Sequence, residues 1–281
     1  MTEGKAAPAA ATEADSRNLS TRIIAAAVLI PVAIGIAYAG GWLWTALVTL
    51  AAVGLYIEWL MVVNAAEKRV VATGIAALVV AGFSVAVGRI DGAVAALAIG
   101  LVAVALMTPE RRNWAAAGFL YAGVAEFASV LLRYDAVKGF VALIFVLMIV
   151  WVTDSGGYFA GRGIGGPKLW PRVSPKKTWA GAIGGFVASL AVACLFAVLD
   201  LGKAGPLLVI GGVLSVVSQL GDLFESAVKR RFGVKDSSQI IPGHGGLLDR
   251  LDGFVAAVAM AALFGFLRDG ADGVGRGLMV W

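Results

Sequence analysis

The sequence predicts an all-α polytopic membrane protein, folded as a bundle of about nine transmembrane helices. Hydrophobic residues make up 60% of the 281-residue chain, charged residues make up only 15%, and the mean hydropathy is +0.88. Soluble domains contain roughly a quarter charged residues, so this composition is typical of a chain embedded in lipid. Backbone groups inside a bilayer must bond to one another, which leaves helices or a closed barrel. No alternating strand pattern suggests a barrel, so we expect helices.

The apolar stretches are each close to the roughly 20 residues that a helix needs to cross a bilayer. They cover approximately residues 22–39, 42–63, 70–88, 92–107, 114–132, 139–159, 178–199, 206–224 and 253–267. Residues 1–21 mix Ala and Pro with charges of both signs, so we expect a disordered cytoplasmic tail rather than a signal peptide. Residues 268–281 are predicted to form a C-terminal tail.

The charged residues between the stretches predict the orientation. Most of the 23 Lys and Arg residues fall on the same side as the N-terminus, and such residues concentrate on the cytoplasmic side of membranes. We therefore expect the N-terminus in the cytoplasm and the C-terminus outside. Two long polar loops, 160–177 and 225–252, then share the cytoplasmic side and are placed to build one site. We divide the chain into N-terminal transmembrane helices (22–138) and a C-terminal catalytic region (139–267).

Composition also narrows the chemistry. A net charge of +5 fits contact with anionic lipid head groups or a phosphorylated substrate. The basic residues are spread over short loops, which argues against nucleic acid as a partner. The chain has one cysteine, Cys194, and one histidine, His244, which disfavours zinc or copper. Charged groups in so apolar a chain are usually functional, and they concentrate in residues 218–253.

Two pairs of carboxylates in this stretch suit a metal. Asp222 and Glu225 end the eighth apolar stretch, and Asp249 and Asp252 begin the ninth. Each pair is spaced so that a helix would carry both acids on one face, and facing carboxylates form an oxygen-ligand site of the kind that Mg²⁺ prefers. We assign Asp222 and Asp249 to the metal, with Glu225 and Asp252 as further candidates. The alternative is that all four are helix-end acids paired with neighbouring Lys and Arg residues.

Two segments have the composition of anion-binding sites. The loop PGHGG at 242–246 can turn backbone N–H groups toward a phosphate, and the run SPKKT at 174–178 places cations and hydroxyls at a helix N-terminus. The candidate substrate-binding residues are Glu58, Asp154, Ser174, Lys176, Lys177, Thr178, Arg230, Lys235, Asp236, Gly245, Gly246 and Arg250. For the lysines and Arg230 among them, anchoring at the lipid surface is the alternative interpretation. Glu58 lies in the inner half of the second stretch, where we expect it to line the same cavity.

These motifs resemble the signature of phosphatidate cytidylyltransferases, also called CDP-diacylglycerol synthases. The matching elements are Ser226-x-x-Lys229-Arg230, Lys235-Asp236, Pro242-Gly243-His244-Gly245-Gly246 and Asp249-Arg250-Leu251-Asp252, together with Glu58-Trp59, Asp154-Ser155-Gly156-Gly157-Tyr158, Ser174-Pro175-Lys176-Lys177-Thr178-Trp179 and Gly221-Asp222-Leu223-x-Glu225-Ser226. The resemblance covers the C-terminal half well and the N-terminal half only by its hydrophobic pattern. Position 180 is Ala where the family commonly has Glu or Gln, and position 253 is Gly where many members have Ser.

The resemblance implies transfer of the cytidylyl group of CTP to phosphatidic acid, giving CDP-diacylglycerol and pyrophosphate for phospholipid biosynthesis. It implies Mg²⁺, with K⁺ as a second ion, and matches Asp222 and Asp249 to the metal-binding acids of the family. We assign the catalytic role to Asp222, Asp249, Lys229 and His244. It also implies the bacterial inner membrane, with the active site facing the cytoplasm, and leaves a homodimer open. Two other functions remain as alternatives: a CTP-dependent lipid kinase, which transfers the γ-phosphoryl group, and an anion transporter built on broken helices.

Overall fold

The computed structural model describes residues 27–238 and 245–281. In these ranges the helices are α1 Ala27–Ala39, α2 Gly41–Val62, α3 Lys68–Ala86, α4 Ile90–Met107, α5 Arg112–Tyr134, α6 Gly139–Gly163, α7 Trp179–Val198, α8 Ala204–Arg231, α9 Leu248–Asp269 and α10 Val274–Met279. Strands β1, Lys168–Trp170, and β2, Ser174–Thr178, lie between α6 and α7, and a short 3₁₀ turn, Ala271–Gly273, precedes α10.

The described helices confirm the predicted all-α membrane architecture. Among these residues, eight helices, α2 to α9, are long and apolar enough to cross a membrane. Large apolar side chains point away from the bundle, such as Ile99 at 70% exposure and Phe83 at 67%, as expected where lipid covers the surface. The predicted first span begins at residue 22, and its residues 22–26 lie outside the described residues. The predicted tail, 1–21, also lies outside them.

The helices that carry the charged motifs are longer than predicted. Helix α6 continues from the predicted end at 159 to Gly163, α8 continues from 224 to Arg231, and α9 begins at Leu248 instead of 253. Basic residues in the last turn of α8 and Asp249 in the first turn of α9 have the signs that the helix dipole favours. The predicted loop 225–252 is therefore much shorter, and its acids lie on helices.

The predicted loop 160–177 contains a β-hairpin, which the sequence reading did not foresee. Strands β1 and β2 pair antiparallel, with Lys168 opposite Thr178 and Trp170 opposite Ser174. Successive side chains of a strand point to opposite faces, so Lys176 is exposed while Lys177 is half-buried against α8. Thr178 ends the strand and caps α7, because its hydroxyl accepts the N–H of Gly181 at 3.1 Å.

Helices α8 and α9 approach closely because glycines face each other's backbones. A Cβ on Gly221 would lie 2.6 Å from the Cβ of Ala256 and 2.8 Å from the carbonyl oxygen of Asp252. A Cβ on Gly253 would lie 2.6 Å from Oγ of Ser218. Small residues at such crossings let helices pack at short distance. The glycine at 253, a departure from the family pattern, thus leaves room for the buried Ser218 hydroxyl.

Replacing Gly221 by alanine is expected to lower both the thermal stability and the activity of the protein. The new methyl group forces α8 away from the backbone of α9, and overpacking of this kind costs about 1–3 kcal/mol. Thermal unfolding in detergent would measure the loss. Gly205→Ala is the matched control on the same helix, since nothing lies within 4 Å of its Cβ position, and equal destabilisation of the two variants would contradict this account.

The C-terminal residues are part of the folded bundle, although 268–281 were predicted as a tail. The α10 side chains Val274, Leu278 and Met279 are fully buried. Arg276 lies 2.9 Å from the carboxylate of Asp269 and 3.3 Å from that of Asp135. The apolar face of α10 packs against α5, α6 and α9, which explains why so short a helix is ordered.

Candidate active site

The polar residues of α6, α8, α9 and the hairpin meet at one end of the bundle. Lys177 from β2 forms an ion pair with Asp222 of α8, whose other oxygen lies 3.4 Å from the hydroxyl of Ser226. The charges of Asp154 on α6 and Asp252 on α9 are close enough to interact with both members of this pair. Three carboxyl groups thus lie near one ammonium group.

A second ion-pair network lies one turn further along α8. The ammonium nitrogen of Lys229 is 2.8 Å from Oε2 of Glu225 and 2.5 Å from Oδ1 of Asp249. Glu225 and Lys229 are both buried, and spacing i, i+4 puts them on one face of α8. Oε1 of Glu225 is buried with no hydrogen-bond partner among the described residues. The charges of Asp249 and Asp252 also act on Glu225, so the two networks adjoin.

Asp249 is held by backbone as well as by Lys229. Its Oδ2 accepts the N–H of Gly246 at 3.1 Å, the N–H of Ser237 at 3.1 Å and a contact from the Ser237 hydroxyl at 3.1 Å. Gly245 has a φ of +80°, a left-handed conformation that glycine adopts readily. The turn before α9 therefore wraps around the carboxylate of Asp249.

Glu58 of α2 is completely buried and accepts four hydrogen bonds from this same region. Oε1 accepts from the Ser238 hydroxyl at 2.7 Å and from the N–H of Leu247 at 2.8 Å. Oε2 accepts from the Ser237 hydroxyl at 2.8 Å and from the N–H of Leu248 at 2.7 Å. Glu58 thus contacts the charged cluster through the segments on either side of residues 239–244.

Comparison with known proteins identifies the family. A model described as the cytidylyltransferase family matches residues 20–267 of the chain. This chain belongs to the cytidylyltransferase family. A phosphatidate cytidylyltransferase of Brucella suis is 43% identical over 259 residues, which cover 88% of this chain and 93% of that protein. A protein of the same name from Haemophilus influenzae is 45% identical over 47% of this chain and 48% of that protein. Another from Bacillus subtilis is 48% identical over 42% of this chain and 44% of that protein. The resemblance expected from the motifs is confirmed.

Most residues that the cytidylyltransferase motifs single out lie in this cluster or at its edge. The acids, Lys177 and Lys229 lie inside it, whereas Lys176, Lys235, Asp236 and Arg230 are exposed around it. Arg230 lies against the backbone carbonyl of Val173 at 3.4 Å and so links α8 to the hairpin. The hydroxyl of Thr178 is occupied as the cap of α7. His244 lies outside the described residues, and its role stays a prediction.

The glycines after Asp154 serve helix packing. Gly156 and Gly157 face α7: a Cβ on Gly156 would lie 2.8 Å from the Cβ of Ala188. On the α7 side, a Cβ on Gly181 would lie 2.8 Å from the carbonyl oxygen of Gly157. Their contribution to the site is indirect, because the tight packing of α6 on α7 brings Asp154 near Lys177.

Sequence reasoning missed Ser237, which contacts both Asp249 and Glu58. A serine beside a charged motif is too common to be singled out, and its partner on α2 lies 179 residues away in the chain. Tyr121 of α5 was also missed; its hydroxyl lies 3.5 Å from the backbone carbonyl of Asp252. Its only signal is an aromatic with a polar end inside an apolar stretch.

The donor chemistry of the cluster fits Mg²⁺. The candidate ligands are carboxylate oxygens, and the buried Oε1 of Glu225 has no hydrogen-bond partner among the described residues. Within the described ranges, however, no three His, Cys, Asp or Glu side chains lie close enough to enclose a metal. Mg²⁺ usually takes one or two carboxylates and completes its shell with water and substrate phosphates. The site therefore suits an ion that binds together with a phosphorylated substrate.

Proposed function

We propose that this protein transfers the cytidylyl group of CTP to phosphatidic acid, forming CDP-diacylglycerol and pyrophosphate. The observation that carries the proposal is family membership over nearly the whole chain, with a phosphatidate cytidylyltransferase 43% identical over 88% of it. The charged cluster at the end of an apolar bundle supports the proposal, because both substrates carry phosphate and one of them is a lipid.

In the proposed reaction, an oxygen of the phosphatidate monoester attacks the α-phosphorus of CTP. The new O–P bond forms as the bond from the α-phosphorus to the bridging oxygen breaks, and that oxygen leaves with pyrophosphate. The attacking group is already an anion, so a strong general base is unnecessary. Negative charge grows on the leaving oxygens, and cations fixed in advance stabilise it. Lys177 and Lys229, held by carboxylates, are the described residues placed to do this.

We assign the metal of this reaction to Mg²⁺ held by Asp222 and Asp249, with Glu225 and Asp252 as alternative ligands. Because no three such side chains of the described residues lie close enough to enclose a metal, water and substrate phosphates would complete its shell. When bound, the ion would neutralise phosphate charge and polarise the reacting phosphoryl group. Asp222 is the more accessible of the two main acids, while Asp249 would exchange its contact with Lys229 for the ion. K⁺ as a second ion stays a prediction.

An apolar cavity beside the cluster fits the acyl chains of the lipid substrate. It has a volume of about 440 Å³ and lies between α1, α2, α5, α6 and α9. Its walls are apolar, with Ala33, Ala51 and Phe254 among them, and Asp154 and Arg250 line its polar end. A lipid lying there would hold its chains in the cavity and its phosphate at the charged cluster.

The proposed location is the inner membrane of a bacterium, with the active site facing the cytoplasm, where CTP is made. The distribution of basic residues supports this orientation, and the named relatives are bacterial proteins. A homodimer stays a prediction of the sequence.

Labelled CTP provides the test. With purified protein, phosphatidic acid and Mg²⁺, we expect ³²P from the α-position of CTP to enter the lipid and ³²P from the γ-position to leave as pyrophosphate. Omission of Mg²⁺ should abolish incorporation. A lipid kinase would instead place ³²P from the γ-position in the lipid and leave ³²P from the α-position in CDP, and that result would overturn the proposal. The relatives' names offer no support for a kinase, and the polar residues gather at one end of the bundle, unlike those of a transporter with a midplane site.

A further inference from the structure

We propose that Glu58 is a positioning residue: it caps α9 from the N-terminal half of the chain and thereby fixes Asp249. The group made of Glu58, Ser237, Ser238, Leu247 and Leu248 is called the Glu58 anchor below. This role differs from the substrate contact that the sequence suggested for Glu58.

The hydrogen bonds of Glu58 leave it no capacity for a ligand. Each oxygen of a carboxylate has about two lone-pair sites, and each oxygen of Glu58 accepts one hydroxyl and one backbone N–H. The side chain is also fully buried. A metal or a substrate hydroxyl could bind Glu58 only by displacing a protein donor.

The two backbone donors are those that a helix start leaves unpaired. The first N–H groups of a helix have no partner within it, and a side-chain acceptor or a negative charge there is stabilising. The residue preceding α9 is Leu247, which has no polar side chain to act as a cap. Glu58 supplies the cap and the charge although it lies 190 residues away in the chain. The helix that it caps, α9, carries Asp249 and Asp252.

Ser237 extends the anchor to Asp249. Its hydroxyl lies 2.8 Å from Glu58 and 3.1 Å from Oδ2 of Asp249, and its N–H also donates to Asp249. A hydroxyl has one proton to donate, so it can bond to only one of these carboxylates at a time. Displacement of Glu58 would therefore shift both the segment around Ser237 and the first turn of α9, the two sources of the contacts that orient Asp249.

The next residue of α2 fixes the direction of Glu58. The indole N–H of Trp59 donates to the carbonyl of Trp114 at 2.9 Å, and its ring packs against Tyr121 and Phe224. Gly118 faces this ring, where any larger side chain would overlap it. Because α2 cannot rotate past these contacts, the adjacent Glu58 is held toward the start of α9.

Glu58→Gln tests the anchor with almost no change of size. Both oxygens accept a backbone N–H, so the new NH₂ group must face one such donor in either flip. We expect hydrogen–deuterium exchange of the peptide spanning residues 245–251 to become at least about tenfold faster. In the enzyme assay we expect kcat to fall about 10- to 100-fold, as for other supporting residues of an active site, with KM for CTP changed by less than about threefold.

The control is Glu126→Gln, which alters another buried acid. Glu126 bonds to Thr49 of α2, which lies about 14 Å before Glu58 along the helix, so the variant should leave the exchange of 245–251 and kcat unchanged. Unaltered exchange in Glu58→Gln, or a raised KM with an unchanged kcat, would overturn the proposal. If Glu58→Gln does not fold, Ser238→Ala, which removes one of the four bonds, must still accelerate exchange. The exchange measurement does not depend on the proposed reaction, whereas the kinetic part rests on it.

Discussion

Asp249→Asn is expected to reduce the formation of CDP-diacylglycerol by more than about a hundredfold, because a metal ligand should matter more than the residues that hydrogen-bond to such ligands, whose loss costs about 10- to 100-fold. The amide keeps the size of the side chain and one oxygen for the N–H groups of Ser237 and Gly246. It removes the negative charge that pairs with Lys229 and that we assign to the metal. Residual activity should therefore require more Mg²⁺ than the wild type, which a magnesium titration would measure.

The control for this variant is Asp269→Asn, at the other end of α9. Asp269 is 43% exposed and pairs with Arg276, and we expect its loss to change activity by less than about twofold because exposed ion pairs contribute little. Asp249→Asn with activity within about tenfold of the wild type, and with an unchanged magnesium requirement, would refute the assignment of Asp249 to the metal.

Lys229→Met is expected to destabilise the protein as well as inactivate it. The ammonium group lies between two carboxylates, those of Glu225 and Asp249, and Glu225 is buried. Removing one partner from a buried ion pair costs about 3–5 kcal/mol, which would lower the melting temperature by on the order of 10 °C in a chain of this size. Thermal unfolding in detergent, with and without CTP, would measure it.

A second substitution separates stability from catalysis. Glu225→Gln in the Lys229→Met background removes one of the carboxylates left without a cation, so part of the lost stability should return. Activity should stay low, because Lys229 is also proposed to stabilise the leaving phosphates. Full activity in the double variant would show that Lys229 serves the fold alone.

The helices could be predicted well from composition, because each apolar stretch must form a helix to satisfy its backbone in lipid. The charged ends of these helices could not be predicted from composition. The apolar stretch that predicts α8 ends near residue 224. The chain nevertheless stays helical to Arg231, because Lys229 and Glu225 pair along one face of the helix. The hairpin was missed for a related reason: its short strands carry three lysines and a proline, which are poor strand signals.

The candidate site could be predicted where one short motif contains the chemistry, as for Asp249 and Lys229. It could not be predicted where a contact joins distant parts of the chain. Glu58 was noticed as an acid in an apolar stretch, but its partners Ser237 and Leu248 are defined only by the fold. The ion pair of Lys177 with Asp222 is of the same kind, since nothing local distinguishes Lys177 from Lys176.

The bonds of Glu58 to the start of α9 make the C-terminal half of the protein dependent on the N-terminal half. All the family motifs except Glu58-Trp59 lie after residue 139, so the C-terminal half looks like a self-sufficient catalytic unit that could be transplanted. On its own it would lack the acceptor for the Leu247 and Leu248 amides and the ring that packs on Phe224. A split gene or a chimaera joined between α5 and α6 would have to bring a compatible α2 with it, and changes on α2 and at the start of α9 should be tolerated only as matched pairs.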